Sequence, residues 1–235
     1  APSAPSPSDG ATGVNIGTGL SWTGGDPDGD AVTYDVYFAA GDATPDQLIC
    51  DDVSTPMCDP GTLVYGTHYY WQVTATDLYG AQTTGPLWDF GTPDQVTAGF
   101  SGSHREGVAP LDVTFTNQSG GAFDTCAWDF GDGSSATECG NVIHTYSTPG
   151  IYDVTLVVSG PGGSDTLIRS GYVTVHEAPT AGFVGDPLEG PAPLDVTFTD
   201  QSMGDYDTCD WDFGDGSTAT ECGNVIHTYS TPGIY

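Results

Sequence analysis

Short stretches in which apolar and polar residues alternate recur along the chain. Examples are VTYDVYF, HYYWQVTATD, LDVTFT, YDVTLVV and YVTV. Successive side chains of a β-strand point to opposite faces, so this two-residue period predicts strands with one buried face. Gly, Pro and Asp separate the stretches, and the sequence has no amphipathic stretch with a period of 3.6 residues. The pattern therefore predicts an all-β protein of short strands and tight turns.

The chain contains an internal repeat. Residues 109–152 align without gaps with residues 192–235, at an offset of 83 residues. Six of the 44 aligned positions differ, namely 117, 120, 122, 123, 127 and 135. Such similarity indicates tandem duplication, so we expect both units to have the same fold and the same role.

Three structural units follow from this repeat. We place them at residues 1–93, 94–177 and 178–235. The first unit has a different pattern, which predicts a β-sandwich around Trp22 and Trp71. The joints GTPDQV and VHEAPT are short and contain proline, so we expect neighbouring units to stack into a semi-rigid rod.

The third unit stops at TYSTPGIY, a stretch that also occurs at residues 145–152 and is followed there by two more predicted strands. The last of those strands ends at Val175, which lies 23 residues beyond Tyr152. A sandwich without these strands has an open apolar face and unpaired edges. We expect either that the sequence is a window onto a longer repeat protein or that another copy supplies the strands.

The six cysteines form three close pairs, Cys50/Cys58, Cys126/Cys139 and Cys209/Cys222. An even number of cysteines in local pairs, without CxxC or zinc-ligand spacing, predicts disulfides and an oxidising, extracellular compartment. Zinc binding is the alternative.

The Asp132-Gly133 dipeptide in WDFGDG predicts a two-residue type I′ hairpin turn. That register places Phe130 opposite Ser135 and Trp128 opposite Thr137. It also places the cysteines of this unit, and of the next, directly opposite each other at a spacing that a disulfide can bridge.

These motifs carry a family resemblance. The pattern APLDVTFT, WDFGDG, HTYSTPGIYDVTLVV and YVTV resembles the polycystic kidney disease (PKD) repeat, an immunoglobulin-like β-sandwich. The first unit more loosely resembles fibronectin type III or cadherin-like modules, through DPDGDAVTYDVYF and YYWQVTATDLYG. The resemblance implies three tandem immunoglobulin-like β-sandwiches, the last one incomplete. It also implies spacer, contact or accessory modules of extracellular proteins, without catalysis.

Charge narrows the function further. The chain has 32 acidic residues against two basic ones, Arg105 and Arg169, and a net charge of -30. Nucleic-acid binding and adhesion to anionic lipid need a basic surface and are therefore excluded. No apolar run is long enough to span a bilayer, so we expect no membrane insertion in this segment.

Acidic loops are candidate calcium sites. The DPDGD loop places Asp26, Asp28 and Asp30 at alternating positions, and Asp77 ends a strand expected to reach the same end of the sandwich. Carboxylate oxygens at such spacing suit Ca²⁺, although the loop lacks the remaining ligands of an EF-hand. The alternative is a solvated acidic turn. Weaker candidates are the hairpin carboxylates Asp129, Asp132, Asp212 and Asp215.

The remaining polar motifs predict one candidate modification site and no catalytic site. Asn117 begins an NQS sequon and is a candidate glycosylation site, whereas its counterpart in the next unit is Asp200. We expect the histidines and tyrosines of both HTY motifs to be structural, with the tyrosine hydroxyl bonded to the backbone. The sequence contains neither GxSxG nor HExxH.

Two functions remain in competition. The first is a non-catalytic extracellular structural or adhesive protein, the repeat segment of a stalk, sheath or filament, associating with copies of itself or with neighbouring repeats and stiffened by Ca²⁺. The second is an accessory substrate-binding or spacer region of a large secreted hydrolase. A carbohydrate-binding module is a third possibility, but four tryptophans are expected in the core, namely Trp22, Trp71, Trp128 and Trp211. Trp88 is the one expected at the surface.

Overall fold

The computed structural model describes residues 1–26 and 29–235. All regular secondary structure in this part of the chain is β, so the all-β prediction is confirmed. No helix in these residues could span a membrane. The described residues form one sandwich followed by two related units, here called repeat 1 and repeat 2.

The first sandwich packs two antiparallel sheets. Its strands are β1 (Ser3–Ser6), β2 (Leu20–Thr23), β3 (Val32–Ala40), β4 (Gln47–Val53), β5 (Met57–Cys58), β6 (His68–Asp77), β7 (Gln82–Thr84) and β8 (Trp88–Gly91). One sheet has the order β1-β2-β5 and the other β4-β3-β6, with β7 and β8 pairing along successive parts of β6. The disulfide Cys50–Cys58 joins β4 of one sheet to β5 of the other.

Three tryptophans form the centre of this core. Trp22 and Trp71 are buried, as predicted, with ring centroids 6.3 Å apart. The prediction that Trp88 lies at the surface is wrong, because it is 4% exposed. Trp88 lies directly opposite Trp71 in the β6–β8 pair, with ring centroids 4.7 Å apart, so both rings enter the core from the same face.

Repeat 1 is a complete sandwich. Its strands are β9 (Phe100–Ser103), β10 (Glu106–Val108), β11 (Leu111–Asn117), β12 (Thr125–Asp129), β13 (Ser135–Ala136), β14 (Val142–Tyr146), β15 (Gly150–Gly160) and β16 (Gly163–His176). The sheet β14-β11-β9 packs on the sheet β10-β16-β15-β12-β13. The strand β15 lies in the middle of its sheet, as the sequence predicts. The strand β16 is the last strand of repeat 1 in chain order, which is also as predicted.

The hairpin register differs from the prediction by one residue. Trp128 pairs with Ala136 and Asp129 with Ser135, so the connection is longer than a two-residue turn. The carboxylate of Asp129 accepts the Gly131 N–H at 2.9 Å, and that of Asp132 accepts the Ser134 N–H at 2.9 Å. These two side-chain-capped turns replace the type I′ turn that the dipeptide predicts.

The predicted disulfides are present despite this shift. Cys126–Cys139 and Cys209–Cys222 have Cα–Cα distances of 5.2 and 5.1 Å, inside the range that a disulfide spans. Because β13 ends at Ala136, Cys139 lies beyond the paired residues of the hairpin. It therefore reaches Cys126 without being its partner in the β-ladder. Trp128 and Phe130 are 1% and 2% exposed, which confirms their predicted place in the core.

Repeat 2 reproduces part of this arrangement. Its strands are β17 (Phe183–Asp186), β18 (Leu194–Asp200), β19 (Trp211–Asp212), β20 (Thr218–Ala219) and β21 (Val225–Tyr229). The sheet β17-β18-β21 corresponds to β9-β11-β14, and the β19–β20 pair corresponds to β12–β13. Trp211 is partly exposed instead of buried as expected, because residues 178–235 stop short of the positions that correspond to β15 and β16.

Candidate functional site

Three of the four predicted calcium ligands, Asp26, Asp30 and Asp77, are described, and they belong to the first sandwich. Asp28 is outside the described residues. Asp77 pairs with Val32, which places the end of β6 beside the strand that follows the DPDGD loop. One carboxylate oxygen of Asp77 accepts the N–H groups of Tyr79 and Ala81, both at 2.8 Å, and so closes the β6–β7 turn. Asp77 therefore has a structural role in the turn that does not depend on calcium.

The structure brings together a second cluster of aspartates, which the sequence analysis did not predict. Oxygens of Asp35, Asp51 and Asp52 all lie within 4.8 Å of one another. A β-bulge causes this meeting, because Tyr34 pairs with Val53 and the two carboxylates of β4 then oppose the single Asp35. The adjacent pair Asp51-Asp52 is visible in the sequence, but the bulge that places it against Asp35 is not. Among the described residues, no other group of three such ligands occurs.

The candidate glycosylation site is engaged in the fold. The Asn117 amide nitrogen, the atom to which a glycan would be attached, donates a hydrogen bond to the Cys139 carbonyl oxygen at 2.9 Å. Its amide oxygen accepts the Ser119 N–H at 2.9 Å. Asn117 thereby ties the end of β11 to the disulfide loop. In repeat 2, Asp200 keeps the bond from the Ser202 N–H, at 2.8 Å, but its carboxylate has no amide hydrogen to donate to the disulfide loop.

A stacked histidine lies under each WDFGDG hairpin. The His144 ring stacks on Phe130 with centroids 4.2 Å apart and planes 6° apart, and its Nε2 lies 2.8 Å from an Asp132 oxygen. His227 repeats this on Phe213 and Asp215, with values of 4.2 Å, 4° and 2.8 Å. The structural role expected for both histidines fits this geometry.

The same contacts lower the pKa values of the hairpin carboxylates. Burial raises the pKa of Asp132, but the hydrogen bonds from Ser134 and His144 outweigh it and hold the pKa below its usual value. In repeat 2 the hydrogen bond from His227 is the largest cause that lowers the pKa of Asp215. Both aspartates therefore favour the ionised form and act as acceptors within the hairpin.

The tyrosine of each HTY motif completes the hairpin. The buried Tyr146 hydroxyl donates to the Phe130 carbonyl oxygen at 3.0 Å, and Tyr229 does the same to Phe213 at 3.0 Å. Both bonds reach across the sandwich to the hairpin. The predicted backbone partner is present, but it lies 16 residues upstream and not within a local corner.

Both joints dock on the following repeat in the same way. At the first joint, the Ala122 N–H donates to the Asp94 carbonyl oxygen at 3.1 Å. At the second, the Asp205 N–H donates to the Glu177 carbonyl oxygen at 3.2 Å, at the same offset of 83 residues. A side chain on Gly121 or Gly204 would overlap the joint backbone at Gln95 or Ala178. The joint therefore has a repeated, close-packed geometry.

His176 adds a contact that is specific to the second joint. Its Nδ1 lies 3.0 Å from an Asp205 oxygen in repeat 2, and its Nε2 lies 3.3 Å from a Glu106 oxygen in repeat 1. The hydrogen bond to Asp205, followed by that to Glu106, raises the pKa of His176. The imidazole thus connects two repeats through two carboxylates.

Repeat 2 has an open apolar groove of about 820 Å³. In repeat 1 the equivalent space is occupied by β15 and β16. Phe100 is fully buried there, whereas its counterpart Phe183 is 60% exposed. The groove is lined by aromatic and aliphatic residues that include Phe183, Leu194, Val196, Phe198, Trp211 and Phe213.

Comparison with known proteins places these features in a family. The model of the PKD domain matches residues 85–175 and 176–235, which is more than half of the chain. The chain belongs to the PKD domain family. The PKD match begins at residue 85, and the fibronectin type III or cadherin-like resemblance of the preceding unit is not confirmed.

The chain is similar to several solved structures of tandem domains. An I-band fragment of titin, I67–I69, is 14% identical with a TM-score of 0.54, covering 99% of this chain and 89% of that one. The fibronectin(III)-like modules of Clostridium thermocellum CbhA are 14% identical with a TM-score of 0.32, covering 72% and 92%. Three N-terminal domains of the bacteriophage RB49 capsid protein Hoc are 12% identical with a TM-score of 0.39, covering 98% and 88%.

The titin fragment shows that the fold is a series of immunoglobulin-like sandwiches. PKD and immunoglobulin-like domains are typically non-catalytic structural modules. Together with three disulfides, they point to an extracellular or secreted protein.

Proposed function

We propose that this PKD protein is the non-catalytic repeat segment of an extracellular stalk, sheath or filament, which spaces or attaches other groups and associates with its own kind. The repeated docking of both joints carries this proposal. Each joint backbone bonds to the loop of the following repeat at equivalent atoms, which supports one preferred orientation of successive repeats. Rigid tandem units suit a load-bearing or spacing element better than a flexible tether does.

The tryptophans favour this function over carbohydrate binding. Trp22, Trp71, Trp88 and Trp128 are buried and offer no stacking surface for a sugar ring. The partly exposed Trp211 lies in the apolar groove of repeat 2 and not on a flat face.

The native polypeptide provides the test. We expect its mass and sequence to contain further sandwiches, and we expect regular rods or polymers in electron micrographs. A catalytic domain in the same polypeptide would contradict the filament proposal and support the alternative, an accessory or spacer region of a secreted hydrolase.

Calcium is part of the proposal. The alternating carboxylates of the DPDGD loop and the position of Asp77 beside that strand support it. We expect calcium to raise the melting temperature of the chain and a chelator to reverse the rise. Asp30→Asn should reduce the shift, whereas an Asp51→Asn/Asp52→Asn variant should not. If only the Asp51→Asn/Asp52→Asn variant loses the rise in melting temperature, the calcium site lies at the β-bulge instead. If calcium does not change the melting temperature of the unsubstituted chain, a structural ion is excluded.

A further inference from the structure

The two arginines of the chain meet at one aromatic ring of repeat 1, here called the arginine pair. The Cζ atom of Arg105 lies 4.5 Å from the centroid of the Tyr172 ring, and the Cζ atom of Arg169 lies 5.1 Å from the same centroid. Cations are attracted to the faces of aromatic rings, so Tyr172 holds both guanidinium groups as neighbours. Both arginines are exposed. Repeat 2 has Leu188 at the position equivalent to Arg105.

The arginine pair lies on a side of repeat 1 at which both sheets end. Arg105 belongs to the connection between β9 and β10, which are edge strands of the two sheets. His104, with a φ of 55°, turns this connection, and the Arg105 carbonyl oxygen accepts the Thr174 N–H at 2.8 Å. The Gly102 N–H donates to the Tyr172 hydroxyl oxygen at 2.8 Å. The backbone of β9 and β16 therefore fixes the place of the pair.

No carboxylate of the described residues neutralises the arginine pair. Within residues 1–26 and 29–235, each ion pair with a carboxylate is made by a histidine. Even Glu106, which directly follows Arg105, has its carboxylate 3.3 Å from His176. Guanidinium groups remain charged at all physiological pH values. The two cations are thus available to a partner outside the chain.

Charge explains why self-association needs such a site. Copies of a chain with a net charge of -30 repel one another over most of their surfaces. The arginine pair is the place at which a second copy meets side chains with permanent positive charge, since Arg105 and Arg169 are the basic residues of the chain. Planar guanidinium groups bind carboxylates through two parallel hydrogen bonds, so the pair fits clustered carboxylates.

The first sandwich carries a carboxylate cluster of matching charge. Oxygens of Asp35, Asp51 and Asp52 lie within 4.8 Å of one another, and the last two residues are exposed. Strand β4, which holds these two, is an edge strand, so the cluster also lies at the side of its sandwich. None of the ion pairs in the described part of the chain involves it. Two guanidinium groups would relieve the repulsion among its three charges.

We propose that the arginine pair of one copy docks on the cluster of Asp35, Asp51 and Asp52 of a second copy. The two surfaces belong to different units of the chain, so the contact is heterologous. A copy bound through its arginine pair still presents its own cluster, and further copies can add in a row. The proposal deepens the self-association proposed above, on which it rests, by naming the surfaces that meet.

Two complementary variants test the contact in a buffer with chelator, where no metal ion bridges carboxylates. Arg105→Gln/Arg169→Gln removes the pair, and Asp51→Asn/Asp52→Asn removes two members of the cluster. We expect the unsubstituted chain to form oligomers that grow with concentration in sedimentation velocity. Each variant alone should raise the dissociation constant about tenfold or more. An equimolar mixture should form heterodimers and nothing longer, because one intact arginine pair meets one intact cluster.

Matched variants separate docking from the effect of net charge. Asp46→Asn/Asp124→Asn neutralises two exposed aspartates elsewhere, which reduces repulsion between copies and should not weaken the assembly. Arg105→Lys/Arg169→Lys keeps both charges without the planar fork and should retain only part of the affinity. Melting curves report whether each variant is folded, and a heterodimer shows in addition that both docking surfaces are intact.

Three results overturn the proposal. The first is an unsubstituted chain that stays monomeric at every concentration measured. The second is association that survives either complementary double substitution; loss in the arginine variant alone would place the pair on another acidic surface. The third is the absence of heterodimers when the two variants are mixed. The sandwiches or catalytic domain of the native polypeptide are measured separately, so failure of this contact leaves the rod and spacer function to its own test.

Discussion

Single residues link each hairpin to the rest of its sandwich, and the Tyr146 hydroxyl is the most buried of these links. Tyr146→Phe keeps the ring but leaves the Phe130 carbonyl oxygen without its donor. We expect a loss of about 1–2 kcal/mol in the free energy of local opening. Hydrogen exchange at the amides of β11 and β14 measures it.

Repeat 2 contains the control for this change. Tyr229 makes the same bond at 3.0 Å but is only partly buried. Water can replace the lost donor there, so Tyr229→Phe should cost less. Equal costs in the two repeats would show that burial does not set the value of this bond.

Two of the six differing positions contact each other in repeat 2. Asp200 accepts a bond from the Tyr206 hydroxyl at 3.3 Å, and their counterparts are Asn117 and Phe123. Asn117→Asp alone loses the bond to Cys139 and should destabilise repeat 1 by about 1 kcal/mol. Adding Phe123→Tyr supplies the donor, so we expect part of that loss to be recovered.

A double-mutant cycle measures this coupling by denaturant unfolding of unglycosylated protein. Phe123→Tyr alone, which has no carboxylate to meet, is the matched control. Strictly additive effects would show that the two positions differ independently.

At the scale of the element, the second joint responds to pH. The raised pKa of His176 means that the folded joint binds a proton more tightly than the unfolded chain does. The contribution of His176 is therefore fully present below the unfolded histidine pKa of about 6.5 and is lost as the pH rises through the higher folded value.

We expect the His176 resonances to titrate above those of a model peptide, and the joint amides to exchange faster as the pH rises through that range. His176→Gln should abolish this pH dependence. The control is His68→Gln, which changes a histidine of the first sandwich. An unshifted titration of His176 would show that the two carboxylates do not hold the proton in solution.

At the scale of the whole molecule, stacking of the repeats depends on two glycines that leave no room for a side chain. Gly204 has a φ of 88°, and a Cβ there would overlap the Ala178 carbonyl oxygen. Gly204→Ala should displace the joint, lower the maximum dimension in small-angle X-ray scattering and broaden the distance distribution.

Gly216 separates this clash from backbone strain. It has nearly the same φ, 90°, but nothing lies within 4 Å of the Cβ position. Gly216→Ala therefore carries the same conformational cost without touching the joint. If both variants scatter alike, strain and not close packing explains the effect.

The sequence by itself determined much of the molecule. The two-residue period predicted the strands, the repeat predicted two related units, and the spacing of the cysteines predicted three disulfides, because each signal depends on residues close in the chain. Local chemistry also identified Trp128, Phe130 and the HTY tyrosines as parts of the core and its support.

Only the tertiary structure decided the rest. The hairpin register moved by one residue because Asp129 and Asp132 cap their own turns while Phe130 enters the core. Trp88 became buried because β8 pairs opposite Trp71. The carboxylates of Asp35, Asp51 and Asp52 meet through a bulge, and Asn117 donates to a disulfide loop 22 residues away. Each of these outcomes depends on which distant strand pairs with the residues concerned. A local sequence pattern does not determine that pairing.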